Sequence, residues 1–416
     1  ELVRFFGKPV DSNASSFFTA SNFLSYTNSL IVARADATGL KNAVSVGTAV
    51  KIKNADTYDS SYAAGQASVG EWAAKYAGSL GNGLTVSMAD SDTFTGWDYA
   101  SQFDSAPGTS SYASSKNSTN DELHVIVIDS LGYFTGVAGS TLEKFAYVSK
   151  ASDAKKYDGS NNYYKEVINT TSNYIWWMDH TTEVALTGDA WGTQAAGKDF
   201  KSLTAALTIA LVGGVDDLSS TDANLENSWI LFADDSVYDI GLLPLGKASA
   251  TLASFVINNV AEVRKDCVVF VSPQDTTSGD VILGSVVNPD TKTVAYRDAL
   301  PSTSYALLDS GYKYQYDRYN DKYRWIPLNG DIAGLTARTD YTNDAWWSPA
   351  GLNRGQIKNV VKLAFNPNKT QRDTLYKSGV NPVVTFPGQG TILFGDKTLL
   401  SKPSAFDRIN VRRLFI

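Results

Sequence analysis

Cysteine and histidine are almost missing from this 416-residue chain, which holds one cysteine, Cys267, and two histidines, His124 and His180. A lone cysteine forms no internal disulfide, and two imidazoles build no histidine-rich zinc site unless carboxylates complete it. Charge is also scarce: 19% of residues are Asp, Glu, Lys or Arg, with a net charge of -7, where average soluble chains carry roughly 25%. An acidic balance lacks the basic footprint that phosphate backbones require, which excludes nucleic acid as a main partner. Long apolar runs are lacking too. The most continuous one, residues 202–215 (SLTAALTIALVGGV), is too short and too glycine-terminated to span a bilayer, so it reads as buried core and no membrane insertion is expected. GxSxG and CxxC are absent, which removes the usual hydrolase and thioredoxin signatures. Glu1 is followed directly by the apolar LVRFFG, neither a signal peptide nor a polar tail, and the chain reads as cut from something longer.

What is abundant is apolar and aromatic. Hydrophobic residues make up 43%, with 22 Tyr, 18 Phe and 9 Trp; this excludes disorder and suggests surfaces meant to be covered. The length exceeds what one core usually serves, so several domains are expected. Residues 15–26 (SSFFTASNFLSY) have helical spacing and 30–35 (LIVARA) read as a strand. Residues 71–77 suggest a short helix leading through glycine turns to the strand LTVSM, and 89–121 an exposed loop. LHVIVID (123–129) reads as a strand and TLEKFAYVS (141–149) as a short helix. SWILFAD (228–234), the helical 250–265 with Leu252, Phe255, Val256, Val260 and Val263 on one face, and CVVFVSP (267–273) together predict a β-α-β unit, hence a parallel α/β layer. Helices are expected at 356–364, 371–376 and from Ser404, with a strand at 391–395.

Candidate chemistry is thin. Asp216-Asp217, Asp234-Asp235 and Asp239 resemble a glycosidase pair or calcium site only by proximity, without the spacing of an EF-hand loop. GLLPLGKA (241–248) places Gly241, Gly246 and Lys247 like a P-loop, but Ala248 replaces the magnesium-binding hydroxyl, so a plain turn is the better reading. Gly388-Gln389-Gly390 also reads as a turn. YKYQYDRYNDKYRW (312–325) reads as an amphipathic hairpin or loop at a boundary, and the pairs Trp176-Trp177 and Trp346-Trp347 as anchors rather than sugar platforms. No cofactor, metal or catalytic residue is indicated.

Specific strings carry more. Residues 311–357 (GYKYQYDRYNDKYRWIPLNGDIAGLTARTDYTNDAWWSPAGLNRGQI) closely resemble the contractile tail sheath proteins of T4-like bacteriophages. QRDTLYKSGVNPV (371–383), GQGTILFGDKTL (388–399) and SAFDRINVRRLF (404–415) follow in the same order, and FFGKPV, ASNFLSY, LIVARA and EVRKDCVVFVSP are similar as well. The likeness is weak over 36–214, where such sheaths carry insertions of varying size.

The resemblance implies a mixed α/β (α+β), multidomain fold. A discontinuous α/β core domain, 1–37 plus 213–416, would carry an inserted β-rich peripheral domain at 38–212. It implies a non-enzymatic virion subunit that stacks with its own copies as rings around the tail tube and contracts to drive that tube through the host envelope. Contacts with the tube and baseplate would run through an N-terminal arm and a C-terminal domain that the chain lacks, so residues 1–416 alone are expected to be a soluble monomer. Localisation would be the phage tail, with assembly in the host cytoplasm. Within this reading Arg338 and Asp340 would fix a local turn, Trp346 and Trp347 would anchor the next loop against the core, and Arg408, Arg412 and Arg413 would pair with acids of the missing domain or a neighbour. The competing readings are a secreted carbohydrate-binding or carbohydrate-active protein using Trp and Tyr platforms, and a non-contractile decoration or S-layer protein.

Overall fold

Two stretches with different sheet chemistry organise the chain in the computed structural model, which describes residues 2–416. Glu1, the first residue of the expected core segment, lies outside the described residues. One compact unit comprises Val3–Gly7 and Thr38–Asp217; the other comprises Leu2, Lys8–Ala37 and Leu218–Ile416.

The first unit is built on an antiparallel sheet of four strands, in the order Ser140–Ser149, Glu122–Asp129, Leu84–Asp90, Leu207–Ala210. Alternation decides the two faces. Val86, Met88, Val125 and Val127 join a core with Trp72, Tyr164, Ile168 and Trp177, while Ala89, Ile126 and Ile128 pack with Trp97 on the other side. Ser87 sits on the Trp97 face and accepts the indole N–H at 2.8 Å. A register shift between Leu123 and Val125 marks a bulge, and Tyr147 opposite has φ +53°. His124 fills this gap: its Nδ1 accepts Tyr147 N–H at 3.0 Å and its Nε2 lies 2.9 Å from Ser105 O.

Three expectations fail in this unit. Residues 141–149 belong to the strand Ser140–Ser149, because pairing along Glu122–Asp129 outweighs the helix preference of Leu142, Glu143 and Lys144. Residues 71–77 hold no helix; Trp72–Ala74 is a buried strand antiparallel to Ile175–Trp177. Residues 202–215 are not continuous core, since Leu207–Ala210 is an edge strand whose residues alternate between half-buried and exposed, and Val212 and Val215 are exposed.

The second unit centres on a parallel sheet in the order Val380–Asn381, Ala306–Asp309, Val268–Val271, Leu242–Pro244. Its central strand is buried on both faces, as a continuous apolar run dictates. Val269 and Val271 pack with Leu252, Val256 and Val260; Val268 and Phe270 pack with Leu328, Ile332 and Leu335. The crossover helix begins at Ala250–Val256, with Ser249 accepting Leu252 N–H. It widens into a π segment at Ile257–Ala261 and ends after Glu262–Arg264 at Lys265, φ +64°. The wide turn shifts the helical phase, so Val263 is exposed rather than on the buried face.

The first strand of the β-α-β unit is not 228–234. Thr221 and Asn224 form a reciprocal cap that starts the helix Asp222–Trp229, followed by a 3₁₀ turn at Ile230–Ala233. Leu242–Pro244 takes the strand position instead, inside the stretch read as a turn, and the turn follows at Gly246, φ +68°. Residues 356–364 are likewise extended, with Lys362–Leu363 paired to Lys313 and Tyr314 of the hairpin Tyr312–Asp317/Lys322–Pro327. Residues 30–35 form no regular strand.

The helix Asn329–Thr342 crosses Ala14–Phe23 and the residues just after it at very short range. A Cβ on Gly330 would stand 2.5 Å from Thr19 O, and one on Gly334 would stand 2.5 Å from the Tyr26 ring. The four-residue spacing of these glycines puts both on one helix face, which permits the approach.

Candidate functional site

The residues singled out in the sequence converge on one end of the second unit. Arg338 and Asp340 lie in the helix Asn329–Thr342 and not in a turn, because the apolar 332–335 segment holds that helix on the sheet. Arg338 donates to Arg354 O at 2.7 Å and lies over the Tyr26 ring. Asp340 pairs with Arg413 of the short helix Ile409–Leu414. Asn410 of that helix donates to Trp346 O at 3.0 Å. The loop after one helix is thereby tied to the last helix.

The expected anchoring by the tryptophans does not occur. Trp346 is 53% exposed and Trp347 43%, and Trp347 covers the Arg354 guanidinium at 4.8 Å. Arg408 and Arg413 already have acid partners within the chain, whereas Arg412 has none among the described residues. Arg408 donates to Asp396 at 2.6 Å, lies 3.5 Å from Asp407, and also contacts the Tyr376 hydroxyl. Arg412 donates to Ser304 Oγ at 2.6 Å through Nη2 and sits between Tyr305 and Phe406, 4.3 and 4.2 Å from their ring centres. Burial holds Arg413 down to about 10, still a cation at neutral pH. With these cations engaged internally, Tyr341, Trp346, Leu414 and Phe415 remain as exposed apolar groups on a hydrogen-bonded platform. Such a surface suits burial against another surface rather than catalysis.

The second unit also holds a polar centre that sequence reading missed. Lys313 Nζ donates to Asp331 Oδ1 and to Lys358 O, each at 2.9 Å, and Tyr26 O–H donates to Asp331 at 3.1 Å. Neither charged side chain of the pair is exposed. Burial lowers the Lys313 ammonium and raises the Asp331 carboxyl, each against the pull of its partner. Nearby, Ser272 donates to the buried Asp309 at 2.6 Å and accepts Asn329 N–H at 3.0 Å. A signal existed: Asp331 interrupts an otherwise apolar helix face. Its partner could come only from the hairpin register.

The other candidates are structural. Asp217 accepts Gly39 N–H at 2.8 Å, Asp216 accepts Ser79 N–H at 3.2 Å, and Asp234 accepts Ser236 N–H at 2.9 Å. Trp176 stacks on Tyr58 at 4.5 Å and Trp177 donates to Tyr164, both buried, so neither offers a glycan a face. Tyr164 O–H, which accepts from Trp177, is left to donate to His180 Nδ1 at 2.7 Å. Burial pushes the Cys267 thiol up to about 12, away from reactivity. Among the described residues no group of three His, Cys, Asp or Glu side chains could hold a metal ion, and no helix is long and apolar enough to cross a membrane.

Residues 242–399 match a family model described as the phage tail sheath protein central domain. The tail sheath protein of Salmonella phage ViI is 28% identical, over 100% of this chain and 75% of its own. That of Vibrio phage KVP40 is 38% identical over 67% of this chain and 41% of its own. That of Enterobacteria phage T4 is 43% identical over 50% of this chain and 33% of its own. The chain thus spans less than half the length of two of these three relatives.

Proposed function

We infer that the chain belongs to the phage tail sheath family, as its matches support, and that it is the body of a contractile tail sheath subunit, a structural protein of the virion tail that performs mechanical work without catalysis or cofactor. The observation that carries this reading is the match of residues 242–399, which takes in the whole parallel sheet of the second unit. In this reading that unit is the building block of the lattice and the unit holding residues 38–217 is its peripheral, protruding part. Copies stack as rings around the tail tube, and assembly takes place in the host cytoplasm.

The physical requirement is two packings of the same subunit with different free energies. An extra ~300 Å² of apolar burial per subunit, at ~25 cal/mol/Å², supplies about 7 kcal/mol before side-chain ordering is subtracted. Summed over the many identical subunits of a lattice, this becomes substantial mechanical work. The exposed group of Tyr341, Trp346, Leu414 and Phe415 provides surface of the needed kind. Immunogold labelling of intact virions with antibody against residues 218–416 tests the assignment. Label along the whole tail shaft is expected; label confined to capsid or fibres contradicts it.

A further inference from the structure

The second unit also holds a cleft of about 340 Å³ whose wall carries Arg297, Lys377, Lys397 and Lys402 against Asp298 and Asp407. Cations exceed acids there by two, in a chain whose net charge is -7. Asp407 is already engaged, 3.5 Å from Arg408. Lys397 donates to Tyr376 O at 2.9 Å and keeps two further N–H donors. Lys377 and Lys402 are exposed.

Arg297 is the unusual member. Its residue is only 7% exposed, yet among the described residues no carboxylate lies within ion-pair distance of it. Its Nη2 donates to Leu399 O at 2.6 Å, its Nη1 reaches Leu300 O only at 3.4 Å, and its Nε has no partner. Gly379 faces that Nε, and a Cβ there would stand 3.5 Å from it. This buried guanidinium, held by two carbonyls and at 3.4 Å by the Ser401 hydroxyl, with Asp298 acting on it only at longer range, makes no ion pair of its own, and a carboxylate is the group whose two oxygens match its fork. Three ammonium groups at the same cleft add to the attraction.

We propose that this cleft is an anion seat that receives the carboxylate of an acidic side chain from a second copy of the chain. The second copy follows from charge complementarity within an acidic protein and rests on the sheath reading; the anion site itself does not. A free oxyanion is the alternative source, and sulfate serves as its probe. For the full-length protein, sulfate is expected to raise the melting temperature by a few degrees over chloride at matched ionic strength, and the Lys377→Glu/Lys402→Glu variant to lose that difference. The same variant is expected to need at least roughly fivefold more protein to assemble, with its own melting temperature unchanged in chloride. No sulfate-specific shift in the wild type overturns the anion seat. A sulfate shift with unaltered assembly of the variant overturns the second copy as its source. Wild-type protein that never assembles under any condition defeats the sheath reading instead, and leaves the sulfate result to stand by itself.

Discussion

Replacing Lys313 by Met removes one half of a pair with no solvent access. Asp331 would keep only the Tyr26 hydroxyl at 3.1 Å, because the Lys313 ammonium is its nearest cation and the donor at 2.9 Å. Leaving a buried carboxylate uncompensated costs about 3–5 kcal/mol. Since ~1 kcal/mol moves the melting point of a unit of this size by about 2–4 °C, the second unit should melt roughly 10 °C lower. The pair joins the hairpin, the helix Asn329–Thr342 and the Tyr26 segment, so the loss falls on one cooperative unit. Urea unfolding followed by tryptophan fluorescence reads it, with Lys313→Met, Asp331→Leu and the double variant compared. The double variant should regain most of the loss, because neither charge is then stranded. A single-variant cost below about 1 kcal/mol, or a double variant no better than the singles, refutes the reasoning.

Gly330→Ala should destabilise the second unit by about 1–3 kcal/mol, because the added Cβ meets backbone that must move; an unchanged urea midpoint counts against the close crossing. The first unit should be acid-sensitive through His180. Burial, its largest cause, lowers this imidazole from 6.5 to about 4, so the stability it contributes is complete above pH 6.5 and is lost as pH falls toward 4. The loss amounts to about 3 kcal/mol. His124, also lowered by burial, acts in the same direction. His180→Gln should flatten the pH dependence of the first unit's unfolding, and an equally steep profile in that variant removes His180 as its source. Trp346→Ala and Trp347→Ala, at exposed positions, should change stability by under about 0.5 kcal/mol yet impair assembly of the full-length protein; calorimetry beside light scattering separates the two effects.

The local signals in the sequence were reliable where one pattern had one meaning. The run at 268–271 can only be a doubly covered strand, the alternation through 312–327 forms the hairpin, and Asn368 with Gln371 caps the helix Lys369–Lys377. They misled where pairing decided. Residues 141–149 suit a helix until a long neighbouring strand offers its edge, and the apolar 229–233 segment looks like a strand unless the cap at Thr221 is weighed. The site was legible only as residue types. Arg413 meets Asp340 across seventy-three positions, and Trp346 lies half exposed, neither of which spacing along the chain expresses. Lys313 stood out only as one cation among tyrosines; its burial follows from the third strand, Lys362–Leu363, laid against the hairpin in a stretch expected to be helical.

Electron microscopy of the purified full-length protein tests the central claim most directly. A sheath subunit forms hollow helical tubes, and in tails prepared before and after triggering those tubes have two lengths and two diameters. Flat lattices, discrete particles, or tubes of one fixed geometry in both preparations would contradict the account.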